Sequence, residues 1–309
     1  MARIPGGLFL MGSDVHYPEE SPVHEVELDD YLIDVAPVTN REFLAFVDAT
    51  GYVTDAERGP RPEDYPGLRA ELLVPGSAVF RRPAGPVDLE LPSWWHYVPG
   101  ASWRAPEGSG SRLDGRWEHP VVHVSHGDAT AFARWRGKRL PTEAEWEHAA
   151  RDGFSGAAFA WGDDEVPPER RPANVWPGRE FPFVEPGGRE PGTTAVGRYG
   201  ASRFGLVDMI GNVWEWTDDH FHDRHPSGGC CARRNPRRAQ QAVADPLARG
   251  GALRVLKGGS FLCADNYCAR YRPAARIPQA EDSGASNVGF RCASDVPVLD
   301  RSPNDGGRR

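Results

Sequence analysis

Two cysteines five positions apart, in Cys263-Ala264-Asp265-Asn266-Tyr267-Cys268, are the side chains best placed to do chemistry. Positions i and i+5 diverge by about 140° around a helix, so the two thiols do not share a helical face. They can meet across a turn, which Asp265-Asn266 favours. Just upstream, Lys257-Gly258-Gly259-Ser260 gives the backbone freedom for a close approach. Two readings stand: two unrelated buried cysteines, or a redox-active or metal-binding dithiol. Two thiolates are too few for a structural zinc, which takes four ligands. Soft thiolates in low number suit Cu(I).

A second candidate is Asp208-Met209-Ile210-Gly211-Asn212-Val213-Trp214-Glu215-Trp216. Asp208, Glu215 and carbonyls around Gly211 could surround a hard cation such as Ca²⁺, which takes six to eight oxygens. Alternatively, Trp214 and Trp216 occupy one face of a strand and Glu215 the other. His220, His222 and His225 alternate with Asp218, Asp219 and Asp223, a pattern read as a solvated polar loop rather than a metal site. Cys230-Cys231 adjoins Arg233, Arg234, Arg237 and Arg238, and adjacent cysteines rarely bridge each other. The chain has no nucleophile elbow, no phosphate-binding P-loop and no dinucleotide-type glycine motif after a strand.

The elements that must position these residues are short. Gly7–Gly12 and Val23–Leu28 read as strands, the second alternating with period two. Thr39 precedes Glu42 at capping-box spacing, and helical intervals follow to Gly51. Residues 52–118 carry nine prolines, Trp94, Trp95, Trp103 and Trp117, with no durable period, and read as packed irregular structure. Pro120–Val124 reads as a short strand. Ser125 with Asp128, and Thr142 with Glu145, open two further helices, the second stopping at Gly153. Short strands and turns run from Ala157 to Asp295, and the polar residues 296–309 read as a flexible tail.

Composition agrees with a loop-dominated α+β domain. Thirty-five glycines and twenty-nine prolines make about a fifth of the 309 residues, against ~12% in ordinary domains. A net charge of −8 argues against a nucleic-acid-binding surface. No apolar run is long enough for a spanning helix and no signal sequence opens the chain, so a cytoplasmic protein without a membrane role is expected. Five cysteines fit a reduced compartment.

Gly258–Cys263 and Tyr267–Arg276 closely resemble the formylglycine-generating enzymes, the sulfatase-modifying factors. The likeness extends to Ser286-Asn287-Val288-Gly289-Phe290-Arg291-Cys292, Gly211–Trp216 and Arg139-Leu140-Pro141-Thr142-Glu143-Ala144-Glu145-Trp146-Glu147, and to Met11-Gly12-Ser13 and Pro37-Val38-Thr39-Asn40. Gly-Asn-Val-Trp-Glu-Trp and Gly-Phe-Arg mark a wider superfamily that includes non-enzymatic binding modules and iron-dependent sulfoxide synthases. The cysteine pair with Ser260 and Tyr267 marks the oxidase branch.

The resemblance implies one domain over 1–295, related to the C-type-lectin fold. It implies oxidation by O₂ of the cysteine in a Cys-x-Pro-x-Arg segment of an unfolded or nascent sulfatase to Cα-formylglycine. It also implies Cu(I) on Cys263 and Cys268, Ser260 and Tyr267 near the metal and oxygen, and Trp214 as a wall. Structural calcium would take Asp208, Gly211, Val213 and Glu215. A second calcium set falls on Asn174, Val175, Gly188 and Glu190, where Gly187-Gly188-Arg189-Glu190-Pro191 lacks the family's aspartate and Glu185 or Glu190 would have to compensate. Cys292 matches a family position without a partner, and a monomer is expected. The alternative is a non-catalytic carbohydrate- or peptide-binding module of the same fold.

Overall fold

Alternation along the first strands follows from having one face on the core. β1 (Ala2–Ile4), β2 (Gly7–Met11), β3 (His24–Leu28) and β4 (Tyr31–Ile33) come first. β2 pairs antiparallel with β3, Phe9 opposite Val26. Phe9, Met11, Val26 and Leu28 are buried while Leu8 and Leu10 face outward. The structure, a computed structural model, describes residues 1–297 apart from 64, 66, 68, 70–72, 165, 167–169, 228–230 and 238–251. Cys230, Arg238 and most of the expected tail lie outside the described residues.

Reciprocal capping boxes start all four described α-helices. They are Thr39/Glu42 for α1 (Asn40–Thr50), Thr54/Glu57 for α2 (Asp55–Arg58), Ser125/Asp128 for α3 (His126–Trp135) and Thr142/Glu145 for α4 (Glu143–Arg151). In each, the hydroxyl accepts an amide that has no partner within the helix, and the carboxylate accepts the cap's own N–H. The stop expected at Gly153 falls one residue earlier. Asp152 is left-handed at φ 49°, and its carboxylate accepts the amides of Arg203 and Phe204.

Two expectations need correction. Pro120–Val124 is not a strand: it makes one isolated bridge, Thr39 to Pro120, and His123 at φ 59° breaks the extended run. Residues 52–118 hold more regular structure than expected, namely α2 and an antiparallel hairpin of β5 (Gly76–Phe80) and β6 (Trp95–Pro99). The long proline-containing connection carries no tight-turn signature, so the pairing was not readable locally. Trp94 and Trp103 are buried there.

A four-stranded sheet carries the cysteine segment. It is built from β7 (Trp214–His220), β9 (Leu253–Lys257), β10 (Arg276–Ala280) and β11 (Val288–Gly289), in the order β10-β9-β7-β11. β8 (Arg233–Arg234) pairs with β3, and β12 (Ala293–Asp295) pairs with β4. Residues 258–275 form the loop between the antiparallel pair β9 and β10, whose ends Lys257 and Arg276 face each other. Like charges directly opposed in a sheet are unfavourable, and α4 resolves the conflict. Lys257 donates to Glu147 at 2.9 Å, and Arg276 donates to Glu143 at 2.6 and 3.0 Å. Burial opposes the ionised form of Glu147, but Lys257 and Arg151 outweigh it and hold the carboxyl down to about 2. The acidic helix motif thus staples both ends of the cysteine loop. Among the described residues, no helix is long and apolar enough to cross a membrane.

Candidate functional site

Two glycines let the loop leave β9 tightly. A Cβ on Gly259 (φ +73°) would sit 2.8 Å from the Arg270 carbonyl and 3.2 Å from the Cys263 sulfur. The chain then turns at Ala264–Cys268, with the amide of Cys268 donating to the Ala264 carbonyl at 2.9 Å. Asn266 fastens this turn by exchanging two hydrogen bonds with the Phe181 backbone. Asp265 accepts from Arg171 at 2.8 Å. The turn residues thus bring the thiols together, with the Cys263 and Cys268 sulfurs 3.2 Å apart.

Both cysteines are free thiols in different surroundings. Cys263 is buried and Cys268 half-buried. Burial pushes the Cys263 thiol up, and its S–H is best assigned as donor to Cys268. That hydrogen bond, against opposing burial and with help from the Arg270 guanidinium, holds the Cys268 thiol down to about 7. Alkylation of Cys268 by a small reagent is therefore expected to rise with pH through about 7 and then level off, since the thiolate reacts. Cys263 should label far more slowly. Peptide mapping of the labelled sites checks this, and preferential labelling of Cys263 would contradict it.

The sulfurs lie at a cavity of about 370 Å³, whose lining includes Trp214, Ser260, Tyr267, Arg270 and Asn287. Ser260 Oγ accepts from the Asn287 amide at 3.0 Å and the Leu262 N–H at 3.3 Å. With both lone pairs engaged, its hydroxyl proton is left to be donated. Burial raises the Tyr267 phenol to about 12, so it stays a neutral donor. Its ring stacks on Phe181 at 4.7 Å and meets the edge of Trp94 at 5.1 Å. Trp214 is 3% exposed. The residues expected from sequence at the pocket, Ser260, Cys263, Tyr267, Cys268 and Trp214, line one cavity. Sequence reasoning missed Asn287, Arg270 and the hairpin residues Ala78 and Trp95. Asn287 stood inside a recognised motif, so its position was available but its partner was not.

The cation sets turn out differently. Asp208 is buried, and its Oδ1 has no hydrogen-bond partner, as a ligand oxygen awaiting a cation would. Glu215, by contrast, receives Arg291 through Nε at 2.7 Å and Nη2 at 2.8 Å, and Trp146 Nε1 at 2.8 Å. Its charge is matched from within, although Trp214 and Trp216 flank it as buried strand residues. The second set is not assembled: Gly188 and Glu190 are exposed, and Glu190 pairs with Arg82 at 3.3 Å. Only Asn174 and Val175 are buried, and the Asn174 Oδ1, like the Asp208 Oδ1, has no hydrogen-bond partner. His225 is also not solvated as expected, being 3% exposed with its ring 4.8 Å from that of His24. Among the described residues, no group of three or more His, Cys, Asp or Glu side chains could hold a metal. Cys231 is exposed and Cys292 buried, both as free thiols.

This architecture and pocket fit one family. Residues 1–296 match the sulfatase-modifying factor enzyme 1-like domain, and the chain belongs to that family. A Mycobacterium tuberculosis protein named formylglycine-generating enzyme is 51% identical over 301 residues, covering 96% of this chain and 97% of that protein. A Streptomyces coelicolor protein of the same name is 46% identical, covering 97% of this chain and 90% of its own length. The solved structure of PvdO from Pseudomonas aeruginosa shares the fold, with a TM-score of 0.56 at 23% identity over 95% of this chain and 93% of that one.

Proposed function

We propose that this protein converts the cysteine of a Cys-x-Pro-x-Arg segment in a sulfatase to Cα-formylglycine, using O₂ at Cys263 and Cys268. The observation that carries the reading is the pair of thiols 3.2 Å apart at an open cavity. Disulfide sulfurs lie ~2.05 Å apart, so these thiols are unbridged and available. Two adjacent soft donors at a cavity fit a copper(I) ion, which accepts few ligands. Cys263 and Cys268 would hold it, and the chemistry such an ion supplies is electron transfer to O₂.

The chain's own residues account for binding and protection. Turning CH₂–SH into CHO with release of sulfur as H₂S withdraws two electrons, so reduction of O₂ to water draws two more from an external thiol. Ser260 and Tyr267 present hydroxyl donors to the reacting oxygen, and Trp214 closes one wall against water. A neighbouring cavity of about 500 Å³ shares Ala78 and Gln279 with the first and carries Asp55 and Asp282. An extended segment places its arginine about 13 Å beyond the cysteine, a span suited to that cavity. The test is aldehyde formation on a Cys-x-Pro-x-Arg peptide with copper-loaded protein, O₂ and a thiol reductant. Loss of product on removing copper or O₂ is expected, and an unmodified peptide under the full conditions overturns the reading.

Calcium at Asp208, with the carbonyls of Gly211 and Val213, is part of the same proposal as a support for β7; Glu215, expected beside them, already has both oxygens on Arg291 and is left out of the set. The partnerless Asp208 oxygen is what favours it. Binding only to the folded state stabilises by RT ln(1 + [L]/Kd), about 2.7 kcal/mol at a hundredfold excess over Kd. Calcium should therefore raise the melting temperature of the wild-type chain, and Asp208→Ala should lose most of that rise. Equal melting with calcium and with chelator would remove calcium from the proposal.

A further inference from the structure

Where a second calcium was expected, the chain supplies a cation of its own. Arg189 Nη2 donates to the Val175 carbonyl at 3.1 Å, one of the oxygens expected to bind the metal. Calcium binds oxygen at 2.3–2.6 Å, and a guanidinium already on that oxygen would repel it. Neither remaining member of the expected set approaches, since Gly188 and Glu190 face solvent. What the position does is visible in its neighbours. The Trp176 amide, next along from Val175, donates to the Cys263 carbonyl at 3.0 Å, and the Asn174 carbonyl accepts the Asn212 amide at 2.7 Å. The segment Asn174–Trp176 therefore ties the strand of Trp214 to the cysteine loop.

We propose that Arg189 replaces the second calcium of the family, its guanidinium fixing the Asn174–Trp176 segment against the cysteine loop without a metal. The replacement is chemically reasonable because both are cations acting on a carbonyl oxygen. A partly exposed arginine can act through one protein acceptor while water takes its other donors, whereas calcium demands six to eight oxygens. The inference concerns cation content and stability, so it stands or falls independently of the oxidase reading.

Calcium stoichiometry tests it directly. After chelator treatment and re-equilibration with calcium, the wild-type chain should retain at most one ion, attributable to the Asp208 set. Two bound ions per chain overturn the proposal. Arg189→Ala should melt about 2–4 °C below the wild type in chelator, and the same gap should remain when both carry calcium at the Asp208 set. An unchanged melting temperature means that the guanidinium fixes nothing and also overturns it. Arg189→Glu exchanges the cation for a carboxylate beside Val175 and the partnerless Asn174 Oδ1. That variant should melt below the wild type in chelator, and the gap to the wild type should narrow when calcium is added to both. A gap that does not narrow counts against the exchange of cation for cation.

Discussion

Cys263→Ser and Cys268→Ser should each reduce conversion of a Cys-x-Pro-x-Arg peptide by roughly a thousandfold or more, equivalent to ~4 kcal/mol of barrier. Folding should survive. A hydroxyl is close in size to a thiol, so neither change opens a cavity, and the surrounding turn is held by Asn266 and Asp265 rather than by sulfur. The melting temperature should move by no more than about 2 °C, the scale of ~1 kcal/mol in a chain of this size. The combined outcome separates chemistry from scaffolding: copper uptake and turnover vanish together while the protein stays folded. Retained turnover in either serine variant would show that the pair is not the reactive centre. Full ligand binding without turnover in the wild type would favour the non-catalytic module.

The second large effect is on stability. Arg291 and Glu215 are both 0% exposed, and besides its two bonds to Glu215, Arg291 donates to the carbonyls of Asp34, Val35, Val207 and Asp208. Arg291→Leu leaves a buried carboxylate without its cation and strips donors from four carbonyls. Breaking one side of a buried pair costs about 3–5 kcal/mol, or roughly 5–8 °C in melting temperature here. The double change Arg291→Leu with Glu215→Leu should recover part of the loss, because no orphaned charge remains. Thermal melting of the three variants decides this. A single variant as stable as wild type would show the pair to be dispensable.

Those two residues also explain why some recognised motifs carry no chemistry. Trp-Glu-Trp and Gly-Phe-Arg lie far apart in sequence, yet Glu215 of one and Arg291 of the other form a single buried pair. The acidic helix motif behaves in the same way: Glu143, Glu145 and Glu147 hold Arg276, Arg139 and Lys257. Burying such charges is costly unless each is matched, so these motifs follow from the scaffold rather than from the reaction. The helix starts were legible because a capping box is a local device whose partners stand three residues apart. The β5–β6 hairpin was not, because its strands meet only when a long connection folds back, and no residue within it announces the pairing.

By itself, the sequence determined the turn that joins the two thiols, three of the four helix starts and the family. All of these depend on spacings of a few residues or on contiguous motifs. Only the tertiary structure decided which buried charges satisfy one another. It alone placed Asn287 on the Ser260 hydroxyl, gave Glu215 to Arg291 and set Arg189 on the Val175 carbonyl. The physical reason is range. Backbone geometry fixes neighbours along the chain, whereas a buried polar group takes whichever partner the packed fold brings within about 3 Å, and that partner is written far away in the sequence.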